Sequence, residues 1–131
     1  MERLIDWEAR LNAYVAKHHA RPYSHAWHCL LFVAGGVKAV TGRDFARGHR
    51  GKYRSMAGAL RYLRSLGFDN AEAMIDAHLP EKPAGFAQRG DLVLAADDVP
   101  ALCMGEFALS VTDEGLARVP RSEWRKAWRV G

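Results

Sequence analysis

Trp27-His28-Cys29-Leu30-Leu31-Phe32-Val33-Ala34-Gly35-Gly36-Val37-Lys38-Ala39-Val40-Thr41-Gly42 contains the longest apolar stretch of the chain, Leu30 to Val40. Leu30, Val33, Val37 and Val40 recur at helical spacing, so a helix is expected from about His28 to Thr41. It is apolar nearly all round, which makes it the central, buried helix. Gly35 and Gly36 each cost about 1 kcal/mol of helix propensity against alanine. Close packing of another backbone offsets that cost, so a β element is expected to cross at this point. Gly42 follows Thr41 as a helix stop.

Upstream, Leu4, Trp7, Leu11, Tyr14 and Val15 also keep helical spacing, with Glu8, Arg10 and Lys17 on the other faces. They define an amphipathic helix from about Leu4 to His19. Pro22 disfavours helix before it, so Arg21 to Trp27 is a loop. Downstream, residues Arg43 to Arg54 form a long polar connection. Ser55 caps a third helix with Met56, Leu60, Leu63 and Leu66 on one face, ended by Gly67. Asp69 and Glu72 have capping-box spacing for a fourth, short helix that Pro80 stops after Leu79.

Past Pro83 the period falls to about two. Leu92-Val93-Leu94, Leu102-Cys103-Met104, Phe107 to Val111, Leu116 to Val119 and Ala127 to Val130 read as strands, with one helical turn at Ser122-Glu123-Trp124. Asp97-Asp98, Gly105-Glu106 and Asp113-Glu114-Gly115 separate them as turns. Helices followed by strands give an α+β class with an antiparallel sheet or small barrel. A single domain is expected over residues 1–131, with a helical half at 1–80 and a β half at 81–131.

The chain has 131 residues, 49% of them hydrophobic and 26% charged. That suits one domain with a real core and excludes bulk disorder. A net charge of +4 falls short of a nucleic-acid footprint. The apolar stretch is too short to span a bilayer, and Met1 to Glu8 carries acids where a secretory signal needs an apolar run. Synthesis in a cytoplasm, in soluble form, is the expectation. The cysteines, Cys29 and Cys103, are far apart and lack metal spacing, so both are read as reduced thiols. No metal or cofactor motif stands out, since neither His-x₃-His nor Cys-x-x-Cys spacing occurs with supporting ligands.

Cys29 begins the central helix, and two readings of it stand side by side. A helix N-terminus favours negative charge, so a thiolate there would have a lowered pKa. A nucleophile so placed takes its base from another element, as in the papain-like arrangement. Alternatively, Cys29 is a small core hydrophobe.

Trp27-His28-Cys29-Leu30-Leu31-Phe32-Val33 resembles the nucleophile motif of the NlpC-type cell-wall cysteine peptidases, Asp-Cys-Ser-x-Phe-Val, and Gly90-Asp91-Leu92-Val93 resembles the segment that opens their sheet. A closer resemblance is to a family of small phage and prophage proteins on the same scaffold. It is carried by Cys29 to Val33, Thr41-Gly42, Arg50-Gly51-Lys52-Tyr53 and Gly58-Ala59-Leu60-Arg61-Tyr62-Leu63. It continues through Gly90 to Val93, Gly115-Leu116-Ala117-Arg118-Val119-Pro120 and Ala127-Trp128-Arg129-Val130. The resemblance covers most of the chain in order. It implies a papain-like, NlpC-type fold and a place among phage tail genes, hence a virion component.

In those peptidases a cysteine attacks a peptidoglycan amide, a histidine acts as base and a further polar residue orients it. Here His28 stands where the peptidases have aspartate. Val99 to Gly105, where their histidine begins a strand, contains none, and the last histidine of the chain is His78. His25, just before the helix, and His78 remain as candidate bases for Cys29. The expectation is therefore a phage tail or tail-tip protein with peptidase activity lost or vestigial, binding other tail proteins. The runner-up is an active cysteine peptidase or amidase acting on peptidoglycan. A third reading draws on Arg47, Arg50, Lys52, Tyr53 and Arg54 as a basic partner-binding surface, or a nucleic-acid-binding module with Tyr53 stacking on a base.

Overall fold

The computed structural model describes residues 2–131. Helices α1 (Trp7–His18), α2 (Cys29–Thr41), α3 (Met56–Ser65) and α4 (Ala71–Asp76) come first. Strands β1 (Glu81–Lys82), β2 (Leu92–Ala95), β3 (Pro100–Cys103), β4 (Phe107–Thr112), β5 (Gly115–Pro120) and β6 (Trp124–Trp128) follow. The strands form one open antiparallel sheet in the order β1-β6-β2-β3-β4-β5. The protein is α+β, and among the described residues no helix is long and apolar enough to cross a membrane.

The all-round apolar character of α2 has the expected consequence. Phe32, Val33, Val37 and Val40 are buried against Leu92, Leu94, Leu102 and Trp128 of the sheet. Gly36 permits the approach, because a Cβ there would lie 2.9 Å from a Leu102 methyl. Gly35 does something different from the sequence expectation. It faces α1, where a Cβ would overlap the Tyr14 hydroxyl, and that hydroxyl donates to the Phe32 carbonyl at 2.7 Å. Gly42 ends the helix in the left-handed region at φ 80°, with its N–H on the Lys38 carbonyl.

The opposite face of the sheet is built from small side chains: Val93, Ala101, Cys103, Ala108 and Ala127 are buried under Trp124 and Ala87. With both faces covered, every residue of β2 is buried, so its strand pattern reads as a continuous apolar run. Cys103 is a core thiol, and neither cysteine is paired.

Several local expectations shift. The first helix starts at Trp7 instead of Leu4, and the Leu4 N–H donates to the Val40 carbonyl at 2.8 Å. Asn70, not Asp69, caps α4, accepting from the Ala73 N–H. The strand expected at Leu102–Met104 begins at Pro100, and the last strand begins at Trp124.

Asp91 ties both ends of the chain to the sheet. Its carboxylate is 1% exposed and accepts from Arg3, from Lys82 at 2.7 Å, and from the Gln88 and Val130 backbone N–H groups. Arg3 also donates to the Val130 and Arg89 carbonyls. The carboxylate next to the Leu92 strand is thus a buried clasp with its lone pairs engaged.

Candidate functional site

The start of α2 lacks a side-chain cap. His28, the residue before the helix, is extended and gives only its carbonyl, which accepts from Phe32. Its imidazole turns instead to the connection after α2, where Nε2 lies 2.7 Å from the Tyr53 hydroxyl. The residue is 8% exposed. Burial disfavours its cation and lowers its pKa to about 4.

Cys29 points at β4. The Val111 N–H donates to Sγ at 3.4 Å, and Sγ lies 3.7 Å from the Val111 carbonyl, which can accept the thiol proton. Burial pushes the Cys29 thiol pKa up. The Val111 hydrogen bond opposes that shift, and Asp97 adds to it. Burial thus acts against the lowering expected at a helix start.

Cys29 and His28 line a cavity of about 340 Å³. Its polar end also holds His49, whose Nδ1 is 2.6 Å from the Tyr62 hydroxyl. Its apolar wall comes from α3 and α4, with Met56, Leu60, Leu63 and Met74. The predicted apolar face of α3 is real, but it looks into this cavity and leaves Met56, Leu60 and Leu66 exposed. The turn between β2 and β3 closes another side with Asp98, Val99 and Pro100.

The other candidate residues lie apart. His25 is exposed in a turn bridged between Ser24 and Trp27 and does not line the cavity. His78 hydrogen-bonds to the Met74 carbonyl at 2.8 Å and stacks on Phe45, lining a different cleft. Among the described residues, no imidazole hydrogen-bonds to the Cys29 sulfur. Arg47, Lys52 and Arg54 are exposed, while Arg50 pairs with Asp44. Tyr53 is turned inward onto His28 and is no free stacking platform. The pairs His28–Tyr53 and His49–Tyr62 were not foreseen, and their separations of 25 and 13 residues carry no local signal.

Helices packed on an open antiparallel sheet, with a thiol at the head of the central helix, define a small α+β domain with an apolar side cavity. The chain belongs to the family described as a domain of unknown function (DUF6950), whose model matches residues 2–130. No curated protein and no solved structure matches it.

Proposed function

We propose that the domain is a phage tail or tail-tip structural component on a papain-like, NlpC-type scaffold that no longer turns over peptide bonds. The tail assignment rests on the ordered motifs from Cys29 to Val130. The loss of catalysis is supported by one observation: the half-buried Cys29 sulfur is held by the Val111 backbone and, among the described residues, no imidazole is bonded to it. A sulfur nucleophile needs a group that takes a proton and returns it to the leaving amine, and loss of such a base costs about 10²–10⁴-fold. The nearest imidazole in sequence, His28, is engaged by Tyr53. In this reading the domain works by packing against neighbouring tail proteins.

The competing reading is a thiol hydrolase. It draws on the cavity, since Cys29, His28 and His49 line the same space. Amine release from purified peptidoglycan separates the two. The wild-type protein is expected to match the buffer blank, with Cys29→Ala indistinguishable from it, and the chain is expected in the tail fraction of purified particles. Release that Cys29→Ala abolishes would establish the hydrolase instead.

A further inference from the structure

A second cleft, of about 540 Å³, opens between α1 and α2. Arg10 and Lys17 of α1, Arg21 of the next loop, Lys38 of α2 and Arg50 line it, with Asp44 as the carboxylate among them. Asp44 is already paired with Arg50. Among the described residues, Arg10, Lys17, Arg21 and Lys38 have no carboxylate partner. Positive charge gathered in a concave surface attracts anions more strongly than the same charge spread out.

The cations are also held in place. The Arg10 Nε–H donates to the Ala39 carbonyl at 2.7 Å, leaving its terminal nitrogens free. The Arg21 guanidinium lies 4.3 Å over the Trp27 ring. His18, stacked on Trp27 at 4.5 Å, has a lowered pKa through burial and then through Arg21 and Lys17. Trp27 is 5% exposed, and its indole N–H has no hydrogen-bond partner.

We propose that this cleft binds a small phosphorylated ligand. Guanidinium forks match pairs of phosphoryl oxygens, and lysines add point charge. A terminal phosphoryl group offers three acceptor oxygens and up to about two negative charges, which suits several unpaired cations better than one carboxylate. Arg47 and Arg54 lie outside this lining, so the charge is concentrated in one hollow instead of following the track that a nucleic-acid backbone requires. The inference stands independently of the tail reading.

Calorimetric titration with pyrophosphate at about 0.15 M salt tests it. Saturable one-to-one binding is expected. Exposed Lys38→Gln and Arg21→Gln should each weaken it about tenfold or more, and Lys38→Gln, which breaks no ion pair or ring contact, should leave the thermal midpoint unchanged. Arg54→Gln, outside the cleft, should leave affinity as it was. The proposal is overturned by the absence of saturable binding, by an equal loss in Arg54→Gln, or by equal affinity for citrate. Tighter binding of duplex DNA with a steep salt dependence would overturn it in favour of a nucleic-acid surface.

Discussion

Asp91→Ala is expected to destabilise the protein by about 3–5 kcal/mol, a large share of the roughly 5–15 kcal/mol that holds a domain of this size together. The carboxylate is buried and joins Arg3 from the N-terminal segment, Lys82 from β1 and the Val130 N–H from the C-terminal end. Removing it strands the Gln88 and Val130 donors and leaves two partly buried cations, each 19% exposed, without their shared counter-charge. Truncating one member of such a network costs more than the network contributes in net terms, because the remaining charges stay desolvated. Asp91→Asn keeps an acceptor oxygen and should lose less. Urea unfolding measures both; a loss below about 1 kcal/mol for Asp91→Ala would mean that the clasp is solvated.

The second large effect is on acid stability. The His28 pKa falls from 6.5 to about 4 on folding, through burial. Between those values the unfolded chain binds a proton that the folded chain does not, so stability falls as pH drops through this window. Above pH 6.5 both states are neutral and the contribution is complete. By pH 4 about 3 kcal/mol should have been lost to this site, at 1.36 kcal/mol per pKa unit. His28→Gln, which can still hydrogen-bond to Tyr53 but does not titrate, should flatten that part of the profile. His18, also shifted down, adds a smaller slope of the same sign. A wild-type urea midpoint constant from pH 7 to pH 4 would contradict the burial of His28.

The fold was readable where chemistry is local. The apolar run at Leu30–Val40, the Ser55 cap, the glycine stops at Gly42 and Gly67, and the turns between β2 and β5 all act over a few residues. β1 was not readable, because Glu81–Lys82 has no strand propensity and is held by pairing with Ala127 and Trp128. The capping-box spacing of Asp69 and Glu72 misled by one residue, since Asn70 offers its side chain to the same turn.

At the candidate site, the helix-start position of Cys29 could be seen, but its environment could not. The sulfur's partner, Val111, is 82 residues away, and only the docking of α2 on β4 brings them together. The helix-dipole argument pointed to an activated thiolate; the partial burial set by that docking acts in the opposite direction. Asp91 had a visible signal, a carboxylate between Gly90 and a fully apolar strand, which marks a buried and partnered charge.

Site-resolved alkylation of Cys29 by iodoacetamide across pH, in a Cys103→Ala background, tests the central claim most directly. A structural thiol bound to β4 should react slowly below pH 8, with a rate midpoint above the ordinary cysteine value of about 8.5. A fast rate that stays level below pH 7 would contradict this, because only a thiolate stabilised by a nearby cation, a base or the helix end behaves that way.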